Sequence, residues 1–536
     1  MIARGGARCQ CGGDGDRGLL ARLSAAINKR AGTFLTQRAR RTRRGRREII
    51  AWRIRIIRRF RQWTQLETGG VRSCLSRLLF KGNAMAARVI TILFMLVVIA
   101  HGKVGLASEA ADAARPRLIV ETDAGGDPDD EQSLVRFLVY ANEWDVEGII
   151  ANRRKARDGE NLSKIRDGFG IVRAMVDAYG ECHARLVEHD PRFPTREYLQ
   201  QRTVSGYEDS DAGTKLIIEA VDRDDPRPVW FLNWGTDNGS DSSSLKRALD
   251  RVLAERGQEG YAAFKNKLRL SSYDMFGDHT SRKPDWKLWV HTFQPEIDRR
   301  RWYHRFSAIT ATAGGFDIER DVRRDHGPLG ALYPTNTTHP QKEGDSMTFM
   351  YLIPTGMNDP YEPTWGSWAG RYALRDDLKG KPYYWATAQD TLGGTTHREN
   401  TLRRWAADLQ NDFRARMDWC VMPRDKANHP PRVALQGEDG KAVLRMTAKA
   451  GETVTLSAAG TKDADGDRLA YSWFDYVEAG TYGRAAKIDG ADAQAARVAI
   501  PADAAGKTIH IVLRVQDDGE PPLVGYRRAV IAVTEL

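Results

Sequence analysis

The sequence predicts an α/β domain, built on a mostly parallel sheet with helices on both faces, followed by a C-terminal all-β sandwich. Three observations carry this expectation. Between Pro116 and about Asp425, short apolar runs alternate with amphipathic stretches, which is the pattern of right-handed βαβ units. After Asn428-His429-Pro430-Pro431 the texture changes to period-two alternation, the mark of strands with one buried face. The first apolar run, Arg117–Val120, opens directly into five acids within ten residues, from Glu121 to Asp130.

Each element follows from its own pattern. Arg117–Val120 (RLIV) reads as a strand, and Glu131–Tyr140 places Leu134, Phe137 and Leu138 on one helical face. Val146–Ala151 returns as a strand, Lys164–Tyr179 as a helix, Val229–Asn233 as a strand and Leu245–Leu253 as a helix. Met347–Pro354 (MTFMYLIP) reads as a further strand. This first domain is expected over 115–425, with a linker at 426–431. Residues 432–536 carry Thr453–Leu456, Tyr471–Trp473 and Ile509–Val515 with Asp/Gly turns between them, as in an immunoglobulin-like sandwich. There, Asp463-Ala464-Asp465-Gly466-Asp467 fails the EF-hand pattern because Phe474 stands at the twelfth position. A tight acidic turn is expected, and a turn-borne calcium site stays open.

Charge separates the chain into two parts. Residues 1–84 hold 21 Lys and Arg against four acids, a surplus of 17, whereas the whole chain of 536 residues has a net charge of +11. The remainder is therefore acidic by six, which argues against nucleic-acid binding by the folded part, since phosphate contacts need a basic face. Residues 1–84 read as an unstructured extension or as sequence upstream of the true start at Met85. Met85–Ala107 has the form of an export signal, with the apolar stretch Val89–Ala100 and small residues at Gly105 and Ala107. That stretch is short for a permanent anchor, which needs ~20 residues. Export is expected, with no membrane association beyond the signal. Cys182 and Cys420 are compatible with a disulfide or with two buried thiols.

The acidic loop carries the chemistry. Five acids in ten residues repel one another, and a hard divalent ion relieves that repulsion. Calcium takes roughly six to eight oxygens, and Gly125-Gly126 lets the backbone fold around it. The loop also leaves the carboxyl end of a strand, where open α/β sheets bind ligands. The bland alternative is a turn in which Asp127 or Asp129 caps the next helix. Other strand ends offer polar groups to the same place: Asn152, Asn238, and Asn358-Asp359, of which Asp359 is the expected third carboxylate. Trp365, Trp368 and Tyr372 either pack in the core, which their helical spacing favours, or stack on sugar rings.

ETDAGGDPDD after an apolar strand resembles the opening of the inosine-uridine nucleoside hydrolases, and GMNDP sits where that family places a late His-Asp pair. WGTDN is similar to its Asn-containing loop. A longer resemblance, over nearly all of 115–536, is to bacterial cellulose-binding proteins with a nucleoside hydrolase-like domain. It rests on HGPLGALYP (His326–Pro334), Gly344–Gly356, Trp365–Tyr372 and the NHPP linker. The resemblance implies Asp123 as metal-bound general base, Asp130 and Asp359 as calcium ligands, a carbonyl near Asn238 completing the shell, and Asp129 on a sugar hydroxyl. Asn152 and Asn358 would also line the substrate. The chain departs from the nucleoside hydrolase pattern in a loop two residues longer, in Glu121 for its first Asp, and in Asn358 where a His would donate a proton. His326, then His279, are the substitutes.

The expected function is an exported Ca²⁺-dependent hydrolase of glycosyl bonds, N-ribosyl or related, acting on a sugar-containing small molecule or polysaccharide. The alternative, of a different class, is a non-catalytic carbohydrate- or cellulose-binding protein that keeps the fold and the ion.

Overall fold

The computed structural model describes residues 115–235, 243–272, 289–292, 304–337, 341–374 and 384–535. The expectations for 1–84, for the signal at 85–107, and for His279 and Asn238 lie outside the described residues. Among the described residues, no helix is long and apolar enough to cross a membrane. Ala107–Leu536 is one compact unit, and everything below concerns it.

An eight-stranded sheet organises the first part. Its strands are β1 (Arg117–Thr122), β2 (Asp145–Ala151), β3 (Thr203–Ser205), β4 (Val229–Trp234), β5 (Leu268–Ser272), β6 (Trp289–Thr292), β7 (Tyr372–Leu374) and β8 (Tyr384–Thr387). They lie in the order β3-β2-β1-β4-β5-β6-β8-β7, all parallel except β7. The chain turns back at β1: β2 pairs on one side and β4 on the other. The crevice beyond the carboxyl end of β1 is thus the switch point where such sheets take ligands. Every residue of β1 is buried, as a strand covered on both faces requires.

Helices cover the two faces. α1 (Asp129–Val139) and α2 (Gly168–His189) pack with Leu118 and Val120 on one side. α3 (Arg196–Arg202) follows α2 and packs on it. α4 (Ala212–Asp222) and α5 (Ser244–Asn266) meet Ile119, Ile150 and Phe231 on the other. The helices expected at 131–140, 164–179 and 245–253 are present as 129–139, 168–189 and 244–266. α6 (His304–Thr310) and α7 (Gly327–Ala331) come next.

One element is of the other type. The run 347–354, expected as a strand, begins with the helix α8 (Ser346–Met350) and continues as a turn. Met347, Phe349, Met350, Tyr351 and Leu352 are all buried, and an apolar run buried on every side has no periodicity to separate strand from helix. The ribbon β9 (Asp390–Leu392) and β10 (Thr395–His397) leads to α9 (Asn400–Arg403) and α10 (Ala406–Asp418).

The C-terminal part is a sandwich of two sheets. β11 (Leu444–Lys449), β13 (Ala470–Asp475), β16 (Thr508–Gln516) and β17 (Val524–Thr534) form one, in the order β11-β17-β16-β13. β12 (Thr453–Ser457), β14 (Lys487–Asp489) and β15 (Ala495–Ala499) form the other. Leu456, Trp473, Val498, Ile511 and Leu513 fill the space between them. The outer face of the larger sheet is not left to solvent. Tyr476, Val512, Val524 and Tyr526 belong to the same apolar core as α1 and α10, and Asp408 of α10 accepts from Arg514 Nη2 at 2.6 Å.

The aromatic trio sits in this seam. Trp365 and Trp368 are buried, with Trp365 edge-on to His510 at 5.0 Å and Trp368 edge-on to Tyr526 at 6.5 Å. Tyr372, with no exposure, packs on Tyr351. They are core residues, as their spacing favours. Cys182 and Cys420 are buried free thiols.

Candidate metal centre

β1 delivers the acidic loop to the switch point, and the chain shares out its five carboxylates. Glu121 is fully buried; its Oε1 accepts from Ser244 N at 2.9 Å, at the start of α5. Asp123 is ion-paired with Arg153, whose Nε also donates to the Asp123 carbonyl oxygen at 3.0 Å. A Cβ on Gly235 would lie 2.5 Å from Asp123 Oδ1, so the loop after β4 approaches this carboxylate closely because residue 235 is glycine. Asp127 is ion-paired with Lys342. Two of the five therefore have protein cations, where the sequence alone suggests a metal.

Asp129 and Asp130 remain, at the first turn of α1. Neither is a cap: Pro128 occupies that position and no side chain caps the helix. The helix N-terminus favours their negative charge, yet both are buried, at 1% and 3% exposure. Asp130 Oδ1 accepts from Thr122 Oγ1 at 2.5 Å, while Asp129 Oδ2 is buried with no hydrogen-bond partner.

The third carboxylate is Asp345, which the sequence reading missed. Oxygens of Asp129, Asp130 and Asp345 lie within 4.8 Å of one another, and among the described residues this is the one such gathering of three acidic or His/Cys ligands. α1 itself brings Asp345 there. Gln132 Oε1 accepts from Lys342 N at 2.7 Å and Glu343 N at 3.1 Å. Arg136 Nη2 donates to Glu343 Oε1 at 3.0 Å. Thr348 Oγ1 donates to the Asp345 carbonyl at 2.7 Å and accepts from Trp234 Nε1 of β4 at 2.7 Å. The sequence carries Gly344-Asp345 ahead of the apolar run, but a strand over 347–354 would offer its ligand at the carboxyl end, beyond Pro354.

Asp359, expected as the third ligand, belongs elsewhere. Its Oδ2 accepts from Arg445 Nη2 of β11 at 3.0 Å and its Oδ1 from Tyr361 N. The turn after α8 carries it to the sandwich. Asn358 closes that turn, accepting from Thr355 N and Oγ1 and donating to the Tyr351 carbonyl at 3.0 Å. Asn152 stays at the loop, its side chain on Glu121. His326 stands before α7, with Nε2 3.0 Å from Asp418 Oδ1 of α10. The structure thus gathers Asp129 and Asp130, sets Asp123 and Asn152 beside them, and holds Asn358, Asp359 and His326 in other contacts.

The electrostatics of the cluster are severe. Burial first, with Lys342 opposing and then Asp127 and Asp123 adding, pushes the Asp129 carboxyl well above the ordinary range. Burial followed by Asp345, Asp123 and Asp129 does the same to Asp130, and burial followed by Asp129 and Asp123 to Asp345. Next along α1, burial lifts Glu131 to about 7 despite its bond from Asn161 Nδ2 at 2.6 Å. Three buried like charges cannot all ionise without a counter-charge. A set of oxygen-only donors with an unfilled buried oxygen fits a hard divalent cation.

The comparisons with known proteins agree with this architecture. Residues 117–372 match the family described as "Cellulose-binding Sde182, nucleoside hydrolase-like domain", and 453–533 match "Cellulose-binding protein Sde0182, C-terminal domain". A solved structure of a nucleoside hydrolase-related hypothetical protein from Saccharophagus degradans, described as associated with carbohydrate metabolism, is 33% identical. The match covers 78% of this chain and 100% of that one, with a TM-score of 0.61. The solution structure of the PKD domain from KIAA 1837 protein is 19% identical over 17% of this chain and 80% of its own, and its TM-score of 0.14 carries no argument. No curated protein matches the chain. By the extent of the Saccharophagus match and the two family matches, the chain belongs to the Sde182 family with its nucleoside hydrolase-like domain.

Proposed function

We propose that this protein is an exported, calcium-dependent hydrolase of glycosyl bonds, N-ribosyl or related, acting on a sugar-containing ligand. The observation that supports it is the buried Asp129-Asp130-Asp345 cluster beyond the carboxyl end of β1, with Asp129 Oδ2 unfilled. A divalent cation bound there would supply a positive centre for a sugar diol and an attacking water. The protein's own groups do the rest. Asp129 accepts a sugar hydroxyl, and Asp123 Oδ2 takes a proton from water once Arg153 releases it. With His326 buried on Asp418 of α10 and its Nδ1 enclosed as well, the leaving group takes its proton from solvent or departs without one.

A second reading has a specific observation behind it. Arg153 occupies the carboxylate that would serve as base, and the Asn358 side chain is spent on its own turn. Those features suit a protein that binds carbohydrate, cellulose included, without turnover. The two readings part in one experiment. Release of free base or reducing sugar from a nucleoside and oligosaccharide panel, lost on adding chelator and in Asp123→Ala, supports the hydrolase. Absence of turnover in the parent protein, with cellulose pull-down unchanged in Asp123→Ala, sinks it in favour of the binder.

A further inference from the structure

Where the sandwich meets the linker, a second group of acids is organised around two buried oxygens without donors. Asp463 Oδ1 accepts from Asp465 N, Gly466 N and Asp467 N at 2.8, 3.0 and 3.1 Å. Its Oδ2 is buried and has no partner. Asp517, 3% exposed, has the same division. Its Oδ1 accepts from Leu523 N at 2.8 Å, Asn428 Nδ2 at 3.1 Å and Gly519 N at 3.2 Å, while its Oδ2 is buried without a partner. The two loops adjoin, since Arg468 N donates to Asp518 Oδ1 at 2.8 Å. Arg468 pairs with Asp518, and among the described residues neither Asp463 nor Asp517 has a Lys or Arg partner.

A buried carboxylate oxygen left without a donor is costly, and here two such oxygens belong to carboxylates that repel each other. Burial and then Asp463 appear among the causes that raise Asp517, and burial followed by Asp463, Asp518 and Asp465 raises Asp467. We propose that Asp463 Oδ2 and Asp517 Oδ2 hold a divalent cation of the calcium class, completed by backbone carbonyls and water. Three acidic oxygens do not converge to 4.8 Å here as they do at Asp129-Asp130-Asp345. The site is therefore a weaker one, in the roughly 10⁻⁴–10⁻³ M range of extracellular modules.

Its consequence lies in the linker. Asp465 of the same loop accepts from His429 N at 2.8 Å and contacts His429 Nδ1 at 3.0 Å, and Asn428 bonds Asp517. His429 Nε2 in turn meets His189 Nδ1 of α2 at 2.9 Å. A cation between Asp463 and Asp517 fastens both loops to the segment joining the two parts of the molecule.

The test is calorimetric titration of the full chain with calcium alone. The parent protein is expected to show a tight event and a weaker one. Asp345→Asn is expected to remove the tight event and keep the weaker. Adding Asp517→Asn, which keeps Oδ1 as acceptor and replaces only the unpartnered oxygen, is expected to weaken the remaining event tenfold or more, as is Asp463→Asn. Thermal midpoints in chelator at or above that of Asp345→Asn show that the double variants are folded. An Asp345→Asn chain that binds no calcium, or a double variant that binds as tightly as Asp345→Asn, overturns the proposal.

Discussion

Arg153 grips Asp123 twice, through the Nε bond to its carbonyl oxygen at 3.0 Å and through an ion pair with its carboxylate. The bond to the main chain sets the loop's path and the ion pair neutralises one of its acids. Together they explain why the uncompensated charge collects one turn later, on Asp129 and Asp130, where Asp345 joins it.

Arg153→Ala removes a positive charge beside that cluster. Calcium affinity is expected to rise several-fold, since a charge at this range is worth on the order of 1 kcal/mol in a partly solvated site. Stability without the ion is expected to fall. Titration calorimetry and thermal melts in chelator check both signs; a loss of affinity would mean that Arg153 supports the ion site and does not compete with it.

Asp345→Asn separates the two roles of that residue. Without cation it relieves repulsion among three buried carboxylates, so the midpoint in chelator is expected to rise or stay level. With calcium the parent gains RT ln(1 + [L]/Kd), ~2.7 kcal/mol at a hundredfold excess over Kd, and the variant is expected to lose the gain contributed by the acidic cluster. A calcium-induced shift as large as the parent's would remove the cluster from the ion site.

The seam between the two parts of the molecule is expected to weaken in acid. His510 is buried against Trp365 and Arg528, and burial, then Arg528 and Arg445, lowers its imidazole to about 3. Its folded value lies below the unfolded one, so the unfolded chain binds more protons between about 3 and 6.5. Stability is therefore complete above about 6.5 and declines as pH falls through that window, by at most ~1.4 kcal/mol per unit from this residue. His510→Gln is expected to flatten the dependence of the thermal midpoint on pH between 4.5 and 6.5; an unchanged slope places the acid sensitivity in another group.

Trp365→Ala opens the same seam. The indole lies edge-on to His510 and under Arg445 at 4.5 Å, and losing a buried Trp costs roughly 3–5 kcal/mol. Denaturant unfolding is expected to shift by that amount and to separate into two transitions as the sandwich uncouples. A cost under about 1 kcal/mol would show that the docking does not depend on this residue.

How far the sequence could be read follows from the range of each force. β1, β2 and β4 and the helices between them have local periodicities, so their patterns and order were legible. Asp130 was legible as a candidate metal ligand, and Asp129 only as a candidate contact to a sugar hydroxyl, because both share ten residues with a strand end. Asp345 was not, for a reason traceable to one element. With 347–354 taken as a strand, its ligand belongs after it, at Asp359; as the helix α8, the run carries its acid in front, at Asp345.

Composition and local pattern decided the fold class, the acidic loop at the end of β1 and the change to a sandwich after the linker, because each is written in neighbouring residues. The folded chain alone decided which acids meet. Gln132 and Arg136 reach more than two hundred positions along the chain to seat Asp345, while Arg445 draws Asp359 away. Partners so distant in sequence leave no periodic trace, and a carboxylate's role depends on whether a guanidinium or another carboxylate is packed against it.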